Sequence, residues 1–182
     1  MCKSCRGFRL DRRGFVLKFM PALVLASAAA APFAPAHAGA AALDLPAPQS
    51  GDVCPVCGMF VAKYPYWIAT VLYRDGHADH FDGPKDFFKY LLDMKKYASG
   101  RTREQIARMG VTGYYEGARI EAATAVYVLG SDALGPMGHE LVPHADEAEA
   151  KEFLGDHKGR RILHFSDVTP ELLDALDQGK FE

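Results

Sequence analysis

Residues 66–92 read YWIATVLYRDGHADHFDGPKDFFKYLL, and this stretch decides the fold. Tyr66–Tyr73 is dense in the aromatic and β-branched residues that strands prefer. Asp75-Gly76 is a two-residue hairpin signal, and His77–Phe81 is the returning strand. Asp82 then stands where a helix cap would, and Pro84 sits near the first helical position. Phe87, Phe88, Leu91 and Leu92 recur at helical spacing, while Lys85, Lys89, Lys95 and Lys96 mark the other face. The pattern is strand, strand, helix, ending near Gly100.

The same order returns downstream. Thr102–Met109 reads as a second short helix, with Thr102 as cap and Gly110 behind it. Gly113–Gly117 is rich in turn residues, Ala123–Leu129 reads as a buried strand, and Gly135–Gly138 is a loop. Glu140–Pro143 is a short strand, Asp146–Leu154 an amphipathic helix stopped at Gly155, and Arg161–Phe165 a strand. Thr169-Pro170 opens a last helix carrying Leu172, Leu173 and Leu176, with Gly179 past its end. The expectation is an α+β fold of two ββαβ-type units, about 54–120 and 121–182, with helices packed on antiparallel sheets. The repeat lies in element order, since residue identities barely recur.

Upstream, Met59–Lys63 reads as a short strand. Residues 39–53, with Pro46, Pro48 and no periodicity, read as a flexible linker. Residues 1–38 read as a signal peptide. Lys3, Arg6, Arg9, Arg12, Arg13 and Lys18 form a basic start, Phe19–Ala31 is short and apolar, and Ala36-His37-Ala38 offers small residues for cleavage. An uncleaved anchor is the competing reading, but the run is short and broken by Pro21. Arg12-Arg13-Gly14-Phe15-Val16-Leu17-Lys18 resembles a twin-arginine export signal, with Asp11 where such signals usually carry Ser or Thr. The whole chain has a net charge of −2. Removing the basic leader makes the remainder clearly acidic, a poor partner for nucleic acid.

Cys2 and Cys5 precede the apolar run and leave with it, so Cys54 and Cys57 are the two cysteines that remain of four. Cys54-Pro55-Val56-Cys57-Gly58-Met59 is the densest group of soft donors in the chain. Thiolate and thioether sulfur favour copper(I) over hard ions, and a structural zinc site would ask for a second such unit. Three readings of the C-x-x-C spacing stay open: a metal site, a thiol–disulfide redox centre, and a structural disulfide. Against redox, the motif feeds a strand rather than sitting at a strand-to-helix turn. Gly135-Pro136-Met137-Gly138-His139 places a methionine in a rigid loop, outside the periodic positions of core methionines such as Met94. It reads as a second presentation of soft ligand, with His139 offering imidazole nearby. His77, His80, His144, His157 and His164 read mostly as surface residues. His77 and His80 fall on opposite faces if on a strand. Asp82 and Asp86 are explained by helix capping. No Ser-His-Asp arrangement, phosphate-binding glycine loop or H-E-x-x-H is present.

CPVCGMF at Cys54–Phe60, YPYW at Tyr64–Trp67, FDG at Phe81–Gly83, and YVLGS with GPMG between Tyr127 and Gly138 together resemble the NosL family, accessory proteins of nitrous oxide reductase. The resemblance runs from about Cys54 to Val168. It implies a pair of ββαβ units, copper(I) binding, and delivery of copper to the reductase or its assembly machinery in the periplasm, by a carrier that is not an enzyme. It maps the motif's soft donors to Cys57, Met59 and Met137, and the ligands of first choice are Cys57 and Met137 with a histidine such as His139 as third, and Cys54 as an assisting or exchange ligand. Many relatives are lipoproteins with a cysteine just after the leader. Here none follows Ala38 until Cys54, so a soluble periplasmic protein without a lipid anchor, monomeric or weakly dimeric, is expected.

Overall fold

A computed structural model describes residues 42–181. The expected signal peptide lies outside the described residues. No helix among the described residues is long and apolar enough to cross a membrane.

The hairpin forms as read. Strands β1 (Ala69–Tyr73) and β2 (Ala78–Phe81) pair antiparallel around Asp75-Gly76. Helix α1 (Pro84–Leu92) follows, with Pro at its start, and a single turn α2 (Met94–Tyr97) continues from it. Strands β3 (Ile106–Thr112) and β4 (Arg119–Glu121) complete a four-stranded antiparallel sheet in the order β2-β1-β3-β4. The second unit repeats the plan. Strands β5 (Val126–Gly135) and β6 (Gly138–His144) form a hairpin, helix α3 (Glu147–Asp156) follows, and β7 (Arg161–His164) returns to give the order β6-β5-β7. In each sheet the first strand is central, flanked by its hairpin partner and by the strand after the helix. Helix α4 (Pro170–Asp177) ends the fold, capped by Thr169, whose hydroxyl accepts from the Leu172 amide.

The two sheets share one core, and α1 lies between them. The period-2 alternation of β5 splits its side chains. Tyr127 and Leu129 join Leu141 and Leu163 in the shared core, whereas Val126 and Val128 join Val142, Ala150 and Phe153 beneath α3. The Phe88 ring meets Tyr127 at 5.1 Å, and Phe87 meets Phe81 at 5.8 Å, so one helix is clamped by aromatics from both units. Burying such rings contributes about 1.5–3 kcal/mol each.

Three expectations are corrected. Thr102 does make a capping box with Gln105, but the turn ends there, after Arg103–Gln105. Residues 106–112 are strand because β1 offers a free edge and Val111-Thr112 suits it. Met59–Lys63 is not a strand. One isolated bridge joins Val53 to Phe60, and Val61–Lys63 is a 3-10 turn. The described part of the expected linker has no helix or strand, yet it is held. The Leu43 amide donates to the Arg119 carbonyl at 2.7 Å, and Leu45 is buried against Gly110. Its Ala/Pro-rich composition obscured two leucines that dock on the sheet.

Candidate metal centre

The cysteine turn closes on its own backbone. The Cys54 amide donates to the Met59 carbonyl and the Gly58 amide to the Cys54 carbonyl, both at 2.8 Å. Gly58 sits at φ +79°, a left-handed conformation that a side chain would strain. The turn buries Cys54 (1% exposed) and leaves Cys57 partly open. Both thiols are free.

Each thiol faces its own carboxylate. Cys54 Sγ donates to Asp86 Oδ2 at 3.4 Å, and Cys57 Sγ to Asp82 Oδ1 at 3.2 Å. One donor atom from each of the four residues lies within 4.8 Å of all the others. Capping does not account for these aspartates. The cap position of α1 is Gly83, which makes no side-chain bond, Asp82 precedes it, and Asp86 lies in the first turn. Both are buried, at 1% and 3%, and Asp82 Oδ2 has no hydrogen-bond partner. Sequence reasoning missed this pair. Its signal was the i, i+4 spacing, which puts two carboxylates on one side of a helix start.

Burial pushes the Cys57 thiol up to about 12, and the Asp86 and Asp82 carboxylates add to the rise. Burial raises Cys54 further still. A redox nucleophile needs the opposite, a thiol lowered toward neutrality. A cation entering the site reverses the electrostatics, because it stabilises thiolates directly.

Cys57 also lines a cleft of about 610 Å³, with Asp86 and Lys89 of α1, Met137 of the β5–β6 turn, and Leu173 and Asp177 of α4. Met137 is 46% exposed there. Its loop is tied to the start of α1. Lys85 Nζ donates to the Met137 carbonyl at 3.0 Å and pairs with Asp177 at 3.1 Å. The Lys85 amide donates to Glu140 Oε2 at 2.9 Å. Glu140 is buried and packs on Gly83 so closely that a Cβ there would collide with its carboxyl group. Burial pushes the Glu140 carboxyl up to about 8, partly offset by Lys85.

The structure thus brings Cys54 and Cys57 together, adds Asp82 and Asp86, and sets Met137 on the same cleft as Cys57. Met59 is partly buried and does not line that cleft. Nor does His139, whose ring packs edge-on against Phe181 at 4.7 Å with Nδ1 buried and unpartnered. Two other histidines are not on the surface. His80 is buried with Nδ1 3.0 Å from Thr70 Oγ1, and His144 is fully buried among Tyr114, Tyr115 and Phe153.

Comparison with known proteins converges on one group. The NosL family model matches residues 46–173. The copper-binding lipoprotein NosL of Stutzerimonas stutzeri is 29% identical over 132 residues, a match covering 69% of this chain and 66% of that relative. The chain therefore spans just under two thirds of that relative's length. The crystal structure of the copper chaperone NosL from Shewanella denitrificans shares the fold, with a TM-score of 0.59 at 22% identity over 70% of this chain and 97% of that one. The first relative's name gives no support to the expectation that a lipid anchor is lacking here.

Proposed function

The chain belongs to the NosL family, and on that premise we propose that it is a copper(I) carrier that holds the ion on Cys57 and Met137. The observation that carries this reading is their shared cleft: a partly open thiol from the first unit and an exposed thioether from the second line one cavity. Copper(I) accepts few, soft ligands, so two sulfurs hold it while leaving room for another protein's donors. Cys54 stands beneath Cys57 as an exchange ligand. Methionine binds without losing a proton, which keeps part of the grip independent of the raised thiol. The named relatives are a copper-binding lipoprotein and a copper chaperone, in keeping with a carrier rather than a catalyst.

Delivery goes to the copper centres of nitrous oxide reductase or their assembly machinery, in the periplasm, after export by the amino-terminal leader. Transfer proceeds by stepwise invasion: the recipient's ligands enter the open side of the cleft while Cys57 or Met137 still holds the ion. The test is a copper(I) titration of the reduced protein against a chromophoric chelator, beside Cys57→Ser and Met137→Leu. One tightly held ion is expected. Cys57→Ser should lose it in competition, and Met137→Leu should weaken it about tenfold or more, roughly 1.4 kcal/mol. Unchanged affinity in Cys57→Ser removes the assignment.

A further inference from the structure

Away from the cysteine turn, the far end of β6 carries an aromatic surface with no part in holding copper. Two tight turns build it. The Trp67 amide donates to the Tyr64 carbonyl at 2.9 Å, which puts Pro65 and Tyr66 on the outer corner of a turn and leaves Tyr66 76% exposed. The Gly117 amide closes the second turn on the Gly113 carbonyl at 3.0 Å, and the Tyr114 amide ties that turn to the Pro143 carbonyl at 2.9 Å. Tyr66, Trp67, Tyr114 and Pro143 line one cavity of about 190 Å³. Tyr115 extends the surface, edge-on to Tyr114 at 5.2 Å. Core packing accounts for Trp67, which rests on the cluster beneath α3, and for the Tyr114 face that meets Phe153 at 4.6 Å. It does not account for Tyr66, or for Tyr115, which is 46% exposed. Exposed aromatic side chains on preorganised turns are the usual anchors of protein interfaces.

The charge beside these rings says what kind of partner fits. Desolvation first, and then the carboxylates of Glu152 and Asp156, raise the Tyr115 hydroxyl above its ordinary value. Glu152 and Asp156 stand at i, i+4 on α3, where like charges repel. The neighbouring bases do not relieve them, since Lys151 pairs with Glu147 at 2.7 Å and Lys158 with Asp132 at 3.5 Å. Neither Glu152 nor Asp156 has an ion-pair partner among the described residues. We propose that Tyr66, Trp67, Tyr114 and Tyr115, with Glu152 and Asp156 beside them, form a docking surface for an extended, arginine-bearing segment of a partner protein. Guanidinium stacks on tyrosine and tryptophan faces and takes carboxylate oxygens in a fork, so one side chain satisfies both halves of the surface. An anionic lipid surface is repelled by the same carboxylates. A second copy of this chain, itself net negative, is opposed in the same way. Docking here is separate from the cargo. Met137 precedes β6 and Pro143 lies near its far end, about 20 Å away at the rise of a strand, so a partner held on this surface leaves the copper cleft open.

Trp67 is the single tryptophan of the chain, so its fluorescence reports this surface directly. The experiment titrates the full reduced protein with a short peptide alternating arginine and proline, proline keeping it extended, and with the same peptide carrying glutamate for arginine. A saturable change in Trp67 emission is expected with the arginine peptide and none with the glutamate one. The double variant Glu152→Gln/Asp156→Asn should weaken binding at least about tenfold, and Tyr115→Ala by a similar factor. A second double variant, Glu104→Gln/Glu171→Gln, removes the same charge from other elements and should bind as the wild type does. Urea unfolding of Glu152→Gln/Asp156→Asn should show no lost stability, because the exchange relieves a like-charge pair, so weakened binding there is not weakened folding. Copper(I) affinity should stay at the wild-type value in that variant, and Cys57→Ser should leave peptide binding intact, which keeps this surface and the copper assignment separately testable. No saturable signal, or equal weakening by the two acid-removing variants, overturns the proposal. So does a Trp67 change that follows protein concentration without peptide, which would assign the surface to a second copy, or one that follows anionic vesicles and not the peptide, which would assign it to a membrane.

Discussion

Glu140 should make the protein lose stability as the pH rises past neutrality, and Glu140→Gln should remove that loss. The carboxyl is pushed from its usual 4.5 up to about 8 by burial. A group whose folded value lies above its unfolded one binds a proton on folding. Its contribution is complete below pH 4.5 and is lost as the pH climbs toward 8. His144 acts in the opposite sense: burial lowers it from 6.5 to about 4, so its share is complete above pH 6.5 and is lost in acid. Below pH 6.5 the two effects oppose one another, so the window from 6.5 to 8 isolates Glu140. Linkage over that window gives about 2 kcal/mol. Glutamine keeps an oxygen for the Lys85 amide and carries no titrating proton. Urea unfolding of the reduced, metal-free protein at pH 6.5, 7.2 and 8 provides the measurement. The wild type should lose about 2 kcal/mol across the series, and Glu140→Gln should stay flat within about 0.5 kcal/mol. Equal slopes in the two proteins would refute the reasoning.

Gly83→Ala drives a Cβ into the Glu140 carboxyl group, 2.8 Å from its Cδ. It should cost about 1–3 kcal/mol in urea unfolding and weaken copper(I) through the displaced Met137 loop. Met94→Leu, at a residue packed against the core, should leave copper(I) affinity unchanged in the chelator competition, whereas Met137→Leu lowers it. His144→Phe removes a fully buried imidazole with both nitrogens unpartnered. It should remove the His144 share of acid destabilisation and leave the opposing Glu140 gain, so that the difference in unfolding free energy between variant and wild type grows by about 2 kcal/mol in the variant's favour from pH 7 to pH 5.

The hairpin and the first long helix were legible because each carries a local signal: Asp75-Gly76 for the turn, Pro84 and the phenylalanine spacing for α1. The repeated element order could also be read, and both sheets bear it out. Residues 102–109 misled because Thr102 and Gln105 do form a cap, and a cap says how a helix starts, not how long it lasts. Their strand is dictated by β1, a partner more than 30 residues earlier, as the register from Ala69↔Val111 to Tyr73↔Ile106 shows. At the site, sulfur was visible and oxygen was not. Cys54 and Cys57 stand out in any exported chain, but an aspartate before a helix has an ordinary use, and only the folded turn shows the thiols pointing at Asp82 and Asp86. His139 looked attractive by nearness to Met137 in sequence, yet Met137 lies in the turn before β6 and His139 on the strand, where its ring packs against Phe181 instead of lining the cleft.

The self-closed cysteine turn has a consequence for how cargo changes hands. In small zinc-dependent domains the ion is the keystone, and its removal unfolds the chain. Here the Cys54–Met59 and Gly58–Cys54 hydrogen bonds close the turn on its own backbone, and an aromatic core shared by both units anchors it from behind. On the proposed carrier reading, handing over the ion leaves the scaffold standing, and no refolding step separates one delivery from the next. The protein would then work as a reusable vessel, with its turnover set by ligand exchange at the cleft.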